Sequence, residues 1–378
     1  MRSTLLEVGE PAPWFEVRSP VNPRFQFATV AGRYVVLCFF ASAAEPASRY
    51  VLDDILQHQA LFDDETCCFF GISIDPGDER EARIKELRPG IRLFWDFDCR
   101  VSRLFGACGD ETDNNPAQSS YRRFTLVLDE RLRVVAVLPF DQQPEQHVPR
   151  LLQILSALPP LEAARLASVP APILIVPRIF EPELCRRLIR YYEEHGGVES
   201  GFMRDVGGKT VEIHDYSHKR RRDQEITDEQ LRQACMFRIH DRLVPELVKA
   251  FQFRATRIER YLVACYDSTT GGYFRAHRDN TTKGTAHRRF AVSLNLNTGE
   301  YEGSLLRFPE FGRQLYASPA GGAVVFSCSL LHEATPVTQG RRYAFLPFLY
   351  DDAAARIRQE NQRFVAGDVP PPAAPDQT

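Results

Sequence analysis

The chain has 378 residues, which is long for one compact domain and sufficient for two. Hydrophobic residues make up 44% and charged residues 26%, an ordinary composition for a globular protein. The 47 basic and 50 acidic side chains give a formal net charge of -3, which offers no support for nucleic-acid binding by the chain as a whole. Apolar runs are too short to span a membrane and the first residues, MRSTLLEVGE, lack an apolar signal core, so we expect neither membrane association nor export by that route.

The nine cysteines are scattered, and no C-x-x-C pair occurs. Several lie within apolar runs such as VVLCFF, CCFFGIS and VVFSCSLL, where a cysteine usually acts as a small buried hydrophobe. This usage predicts a reducing, cytoplasmic compartment and gives no support for a structural zinc site.

Strand-like and helix-like segments alternate over residues 1–158. In chain order the predicted elements are a strand at Tyr34–Phe40, a helix at Arg49–Phe62, a strand at Cys67–Ile74, a polar helix at Glu79–Leu87, a hairpin of Phe124–Leu128 with Val134–Leu138, and a helix at His147–Leu158. Such alternation predicts an α/β layer fold with some parallel pairing. Residues 159–172, rich in proline and alanine, are predicted to be a linker.

Residues 173–352 begin with helices and then become mainly β. The predicted helices are Pro182–His195 and Thr227–Phe251, and the predicted strands are Ala255–Tyr266, Arg289–Asn297, Ser304–Arg307, Ala323–Ser327 and Tyr343–Leu349. This order predicts a β-sandwich or jelly roll with packed helices. Residues 353–378, which end in DVPPPAAPDQT, are predicted to be a flexible tail.

Two histidines and one aspartate form a candidate metal site. His277 and Asp279 lie two residues apart in YFRAHRDN, so in an extended strand their side chains point to the same face. His332 follows the apolar run GGAVVFSCSLL. Two imidazoles and a carboxylate make the facial triad of non-haem Fe(II) enzymes, which leaves three coordination positions for a chelating 2-oxo acid and O₂. The alternative for His332 is a surface loop histidine.

An arginine accompanies this triad at the start of the apolar strand YAFLPFLY. Arg342 lies ten residues after His332, and its planar guanidinium suits the distal carboxylate of 2-oxoglutarate. Arg341 competes for the role, but the two side chains should point to opposite faces, so only one can line a pocket. Otherwise either arginine is an exposed charge at a strand edge.

These residues resemble the prolyl 4-hydroxylase-like 2-oxoglutarate/Fe(II) oxygenases, whose core is a double-stranded β-helix. The matching pieces are Y-x(6)-YFRAHRDN, RRFAVSLNLN, EYEGSLLRFPEFG and SPAGGAVVFSCSLLHEATPVTQGRRYAF, preceded by the helix EPELCRRLIRYYEEHG. The resemblance covers about 180 residues and implies Fe(II) at His277, Asp279 and His332, with 2-oxoglutarate at Arg342. It also implies C–H hydroxylation with release of succinate and CO₂, and we expect ascorbate to serve as reductant.

The chain departs from that family pattern at two places. The gap between Tyr266 and His277 is longer than in the pattern, which argues against Tyr266 as a contact of the cosubstrate. The usual pair of glycines before the middle strand is Gly303-Ser304 here.

Residues 1–158 resemble a peroxiredoxin-like member of the thioredoxin fold. The matching pieces are VGEPAPWFEV, YVVLCFFASAAEPAS, CCFFGISID, LFWDFDCRVSRLFGA and RRFTLVLDERLRVV. The family motif P-x-x-x-T-x-x-C corresponds to Ala41, Glu45 and Ser48, and a serine hydroxyl cannot replace the peroxide-cleaving thiolate. Arg123 matches the thiolate-stabilising arginine. We interpret this domain as a degenerate redoxin that serves homodimerisation or partner docking, the alternative being a thiol redox role for Cys38, Cys99 or Cys108.

A basic run, Lys219 to Arg222, lies where related oxygenases place a mobile loop over the active site. It is either a solvated loop or a contact for an acidic substrate or a phosphate backbone. His214 and His218 lie close by and give weak support for a second metal site.

Four functions remain open at this point. The first is hydroxylation of a protein or peptide side chain, and the second is the same chemistry on a small metabolite or amino acid. The third is a thiol peroxidase, against which the absent cysteine argues. The fourth is a non-catalytic binding module, against which the intact triad and arginine argue.

Overall fold

The computed structural model describes residues 5–109, 121–140, 143–161 and 170–365. The chain divides into two compact units, Met1–Arg165 and Leu166–Thr378. Most of the predicted linker lies outside the described residues.

The first unit is an α/β layer built on a five-stranded sheet. Its strands are β1 (Glu16–Val17), β2 (Phe25–Gln26), β3 (Tyr34–Ala41), β4 (Cys67–Ser73), β5 (Ile91–Trp95), β6 (Phe124–Leu128) and β7 (Val134–Pro139), and its helices are α1 (Pro46–Gln57), α2 (Pro76–Arg80), α3 (Arg100–Leu104) and α4 (His147–Ala157). The sheet order is β5-β4-β3-β6-β7, with β3, β4 and β5 parallel and β6 and β7 antiparallel. The predicted α/β fold and the predicted hairpin are confirmed.

The central strand β3 is apolar throughout because both of its faces are covered. Val35, Leu37 and Phe39 belong to one apolar core, and Val36, Cys38 and Phe40 belong to the core on the other face. A strand buried on two sides reads as a continuous hydrophobic run, as this one does in the sequence.

The predicted helix at Glu79–Leu87 is wrong. A single short helix, Pro76–Arg80, takes its place, capped by Asp75, whose carboxylate accepts from the Gly77 N–H. Ala82 has a positive φ of 48°, and the Arg83 guanidinium turns back to Asp75 at 2.7 Å. The polar residues that suggested a longer helix therefore form a compact turn, which side-chain hydrogen bonds stabilise.

The second unit is rich in strands and packs three helical segments on one sheet. Its strands are β8 (Leu174–Val176), β9 (Val198–Glu199), β10 (Phe202–Val206), β11 (Lys209–Ile213), β12 (Lys219–Arg220), β13 (Arg222–Glu225), β14 (Arg257–Glu259), β15 (Leu262–Asp267), β16 (Tyr273–His277), β17 (Phe290–Asn295), β18 (Glu302–Gly303), β19 (Leu306–Arg307), β20 (Leu315–Tyr316), β21 (Ala323–Ser327), β22 (His332–Ala334), β23 (Val337–Gln339), β24 (Arg341–Phe345) and β25 (Phe348–Tyr350). Its helices are α5 (Pro182–His195), α6 (Glu229–Arg238), α7 (Val244–Phe251) and α8 (Asp352–Asn361).

Two antiparallel sheets carry the second unit. The larger has the order β14-β25-β17-β24-β15-β13-β9, with β21 paired to β17 and β8 paired to β21, and the smaller has the order β12-β16-β22-β19-β20. Leu188 on α5, Leu231 on α6 and Leu247 on α7 share one apolar core with Val263 and Phe345 of the larger sheet. The expectation of a β-rich domain with packed helices is confirmed.

Several boundaries differ from the sequence predictions for physical reasons. The helix predicted at Thr227–Phe251 is interrupted by a π-turn at Ile239–Leu243, just before Pro245, whose missing N–H cannot continue the helical ladder. The strand predicted at Ala255–Tyr266 is broken at Arg260, which has a φ of 69°.

The predicted flexible tail requires a correction over its first part. Helix α8 occupies Asp352–Asn361, and its first turn is capped by Asp351, which accepts from the Ala354 N–H. Ala354 is fully buried, so the helix is attached to the unit by packing. Residues 366–378 lie outside the described residues. Within the described ranges, no helix is both long and apolar enough to cross a lipid bilayer.

Candidate metal centre and its surroundings

His277, Asp279 and His332 meet at one end of the smaller sheet. One ligand atom from each lies within 4.8 Å of those of the other two. The Asp279 carboxylate lies 3.5 Å from His277 Nε2 and 3.4 Å from His332 Nε2. Two imidazole nitrogens and a carboxylate oxygen at these separations fit a divalent transition metal.

Strand pairing produces this arrangement. His277 ends β16 and His332 begins β22, and the two residues stand directly opposite each other in the antiparallel pair. Asp279 follows the strand end, where its N–H donates to the Cys328 carbonyl at 3.0 Å. Two cross-strand neighbours and a residue two positions further along thus present their side chains to one point.

Both imidazoles are oriented by backbone carbonyls. The Nδ1 of His277 lies 2.7 Å from the Arg275 carbonyl oxygen, and that of His332 lies 3.0 Å from the Leu330 carbonyl oxygen. A carbonyl can only accept, so Nδ1 must carry the proton and Nε2 presents its lone pair to the metal position.

The protonation states suit metal binding. Burial, reinforced by the neighbouring His277, lowers the pKa of His332 to about 4, so its imidazole is neutral near neutral pH. Burial by itself raises the pKa of Asp279, but the two imidazoles outweigh that effect and hold the pKa below its usual value. Metal ligation requires a neutral imidazole and an ionised carboxylate.

The cluster faces a cavity of about 750 Å³. Aromatic rings back its histidines: Phe274 stacks on His277 with ring centroids 3.5 Å apart, and Phe326 lies 4.5 Å from the His332 ring. Aromatic rings thus pack against both imidazoles at the cavity wall.

Arg342 lines the same cavity and is 2% exposed. Its guanidinium donates to Asn295 Oδ1 at 2.8 Å and 3.0 Å, to Ser293 Oγ at 2.6 Å and to the Ser304 carbonyl at 3.2 Å. No carboxylate pairs with Arg342 among the described residues. A buried guanidinium held only by neutral acceptors is a ready partner for a carboxylate ligand.

The competing arginine points away, as strand alternation requires. Arg341 is exposed and donates to Asp267 Oδ2 at 2.7 Å. Tyr266 stands directly opposite Arg342 in the β15–β24 pair, and its ring lies 5.3 Å from the Arg342 guanidinium carbon. The structure therefore brings Tyr266 to the cavity despite the longer gap before His277.

A buried ionic network fixes the segment that follows Asp279. Glu259 accepts from His287 Nε2 at 2.5 Å and from Arg288 at 2.8 Å, and Arg288 also approaches the Asp279 carbonyl at 3.5 Å. Burial raises the pKa of Glu259, but its contacts with His287 and Arg288 outweigh burial and lower it overall. The network joins β14, at Glu259, to the metal-side segment.

Sequence reasoning missed the residues that orient Arg342. Ser293 and Asn295 lie two apart on β17 and face the cavity side of an otherwise apolar strand. The alternation of polar and apolar residues in FAVSLNLN is the signal that would have found them.

The basic run is not a solvated loop. Lys219 and Arg221 are buried and line the cavity, whereas Arg220 and Arg222 point outward. His218 lines the cavity too, beside Phe202 and Phe274. Within the described ranges, no second group of three metal-ligating side chains meets, so His214 and His218 belong to no such group.

In the first unit, the positions matched to the peroxiredoxin motif form no thiol site. Ser48 is fully buried in α1, and its hydroxyl donates to the Phe40 carbonyl at 2.6 Å. Arg123, which would stabilise a thiolate, instead forms an ion pair with Glu45. Ala41 ends β3 with a φ of 70°.

The remaining thiols differ sharply in their expected reactivity. Burial raises the pKa of Cys38 to about 12, whereas a hydrogen bond from the Cys108 thiol lowers the pKa of Cys99. We expect brief iodoacetamide treatment of the native protein to label Cys99 at least about tenfold faster than Cys38, as measured by peptide mass spectrometry. Equal labelling of the two cysteines would contradict this expectation, and Cys99→Ser identifies the labelled peptide.

Each unit contains a segment that matches the model of a known protein family. Residues 261–350 match the model of the 2OG-Fe(II) oxygenase superfamily, and residues 8–137 match that of the AhpC/TSA family. A PKHD-type hydroxylase from Pseudomonas fluorescens is 36% identical over 110 residues, covering 27% of this chain and 46% of the relative. One from Synechococcus is 29% identical over 122 residues, covering 31% and 52%. The chain thus spans about half the length of the curated relatives it matches.

Two solved structures resemble parts of the chain at low identity. A prolyl-4-hydroxylase from Pseudomonas putida is 18% identical, covers 47% of this chain and 92% of its own, and has a TM-score of 0.36. The peroxidoxin BcpB from Mycobacterium tuberculosis is 21% identical, covers 41% and 99%, and has a TM-score of 0.33.

Proposed function

Because the chain joins an AhpC/TSA-type domain to a 2OG-Fe(II) oxygenase domain, we propose that it is an Fe(II)- and 2-oxoglutarate-dependent hydroxylase. One observation carries the proposal: the His277–Asp279–His332 cluster faces the same cavity as the buried Arg342, which pairs with no carboxylate among the described residues. The family implies Fe(II), 2-oxoglutarate and O₂. We propose further that the two sheets form a double-stranded β-helix, or jelly roll.

Each residue has a defined task in this proposal. His277, Asp279 and His332 would hold the iron through Nε2, a carboxylate oxygen and Nε2. Arg342, oriented by Asn295, would receive the distal carboxylate of 2-oxoglutarate, with Tyr266 beside it. The bound iron supplies O₂ activation, which couples decarboxylation of 2-oxoglutarate to insertion of one oxygen atom into a substrate C–H bond; the other oxygen atom enters succinate.

A side chain of a protein or peptide is the proposed substrate. The curated relatives are named PKHD-type hydroxylases, which supports hydroxylation in general. The sequence motifs that resemble those of prolyl 4-hydroxylase-like oxygenases support a peptide substrate. The alternative is the same reaction on a small metabolite or amino acid, which a cavity of about 750 Å³ can hold. Ascorbate is the proposed reductant, and the cytoplasm is the proposed compartment.

For the first unit we propose a docking or homodimerisation role. The occupation of the motif positions by Ala41, Glu45 and a fully buried Ser48 supports a function other than peroxide cleavage.

The direct test is succinate formation by the full chain with Fe(II), 2-oxoglutarate, ascorbate and O₂, in the absence of added substrate. We expect slow uncoupled turnover that His277→Ala abolishes, because one of three protein ligands is lost. His240→Ala, which changes an exposed histidine, is the matched control. Absence of succinate, together with absence of an anaerobic Fe(II)/2-oxoglutarate absorption band, would refute the proposal in favour of a binding module.

A further inference from the structure

Lys219, like Arg342, is a buried basic residue that lines the cavity. Lys219 is 5% exposed, and its ammonium donates to Ser200 Oγ at 2.7 Å and to the Gly201 carbonyl at 2.5 Å. Both acceptors are neutral. Among the described residues, no carboxylate lies within ion-pair distance of this ammonium, whereas burial of an unpaired charge is costly.

The neighbouring charges do not compensate Lys219. Asp223 pairs with Arg221 at 2.6 Å and with Arg260 at 3.3 Å, so its single charge is already shared between two guanidinium groups. The other carboxylate near enough to act on Lys219, that of Glu212, is half exposed. Burial, reinforced by Arg221, lowers the pKa of Lys219 well below its usual value, and the charges of Asp223 and Glu212 offset this only in part.

Lys219 and Arg221 lie beside the metal cluster. The Lys219 ammonium is 4.9 Å from the centre of the Phe274 ring, and that ring stacks on His277. Arg221 approaches the Tyr266 hydroxyl at 3.5 Å. A ligand group held at Lys219 would therefore share the cavity with a reacting group at the iron.

Other cations of the cavity wall have carboxylate partners: Arg278 pairs with Glu310 and Arg288 pairs with Glu259, both at 2.8 Å. A divalent iron and a doubly charged 2-oxoglutarate cancel each other, so loading the centre supplies no net counter-charge to Lys219. Arg342 accounts for one carboxylate, that of the cosubstrate, whereas Lys219 has no carboxylate partner in the part of the chain that the structure describes.

We propose that Lys219 and Arg221 form an anion-binding subsite that selects substrates carrying a carboxylate or phosphate group. This inference rests on the proposed function, since it names the class of substrate for the same cavity. Ser200 and Gly201 accept from two of the three ammonium donors, so the third donor and Arg221 Nη1, which makes only the long 3.5 Å contact with Tyr266, can meet oxygens of one anionic group. The anion would be fixed at this wall, and the C–H bond to be hydroxylated would extend from it toward the iron.

The test measures binding of two simple probes, benzoate and inorganic phosphate, to the full chain loaded anaerobically with Fe(II) and 2-oxoglutarate. Isothermal titration calorimetry gives the dissociation constants. We expect Lys219→Met to weaken binding of the preferred probe by about tenfold or more, because a charge-assisted hydrogen bond is lost. Arg220→Met, which removes the adjacent outward-facing charge, should change it by less than about twofold. The preferred probe identifies the carboxylate or the phosphate as the natural group.

Two results would overturn the subsite: equal probe affinity in Lys219→Met and wild type, or no binding of either probe up to about 50 mM. A tenfold loss of 2-oxoglutarate affinity in Lys219→Met would also overturn it, because Lys219 would then belong to the cosubstrate site. Lys219→Gln, which can still donate to Ser200, replaces the methionine variant if the latter fails to fold. The Fe(II)/2-oxoglutarate absorption band is recorded on the loaded protein before each titration. Its absence would refute the proposed function, and the probes are titrated without 2-oxoglutarate as well, so that the subsite is tested separately.

Discussion

Replacing Arg342 with methionine should raise the 2-oxoglutarate concentration needed for half-maximal succinate formation by about a hundredfold or more. The guanidinium is buried, aligned by Asn295 and Ser293, and free of any carboxylate partner among the described residues. Its removal leaves the distal carboxylate of 2-oxoglutarate without its charge-assisted hydrogen bonds. Truncation of such a buried pair costs about 2–5 kcal/mol.

The design separates cosubstrate binding from metal binding. Arg342 touches none of the three metal ligands, so Fe(II) affinity, measured anaerobically by calorimetry, should stay within about twofold of wild type. Arg341→Met is the matched control, because that neighbouring guanidinium is exposed and paired with Asp267. If Arg341→Met raised the 2-oxoglutarate requirement as much as Arg342→Met, the assignment of the cosubstrate arginine would be wrong.

Local spacing related two members of the metal cluster, since the i, i+2 relation placed His277 and Asp279 on one face. Strand alternation indicated that only one of Arg341 and Arg342 could line a pocket, and the family resemblance pointed to Arg342. The direct pairing of His277 with His332 depends on the register between β16 and β22, strands separated by many residues, and no local pattern encodes it.

The features that escaped prediction are those decided by tertiary contacts. Lys219 reads as one of four consecutive basic residues, and only pairing of β12 with β16 turns its side chain inward. The polar segment after Pro76 has helical spacing, yet hydrogen bonds from Arg83 stabilise a turn instead. The helix after Asp351 was missed because Ala354 is its only buried residue, so the sequence carries no apolar helical periodicity there.

The second large effect concerns stability. Glu259→Gln should lower the free energy of unfolding of the second unit by about 3 kcal/mol, because His287 and Arg288 would remain buried beside a neutral amide. The pKa of Glu259 is lowered in the folded state, so its carboxylate stabilises the fold fully above the unfolded value of about 4.3 and loses that contribution as pH falls further. The gap between variant and wild type should therefore narrow in acid.

Both tryptophans, Trp14 and Trp95, belong to the first unit, which allows the effect to be localised. In urea unfolding, the variant should shift the far-UV circular dichroism transition of the second unit while leaving the tryptophan fluorescence transition in place. Glu302→Gln, at an exposed position, is the control and should stay within about 0.5 kcal/mol of wild type. An unchanged dichroism transition in Glu259→Gln would mean that the network adds no net stability, and that Asp279 depends on its backbone hydrogen bond to Cys328 for its position.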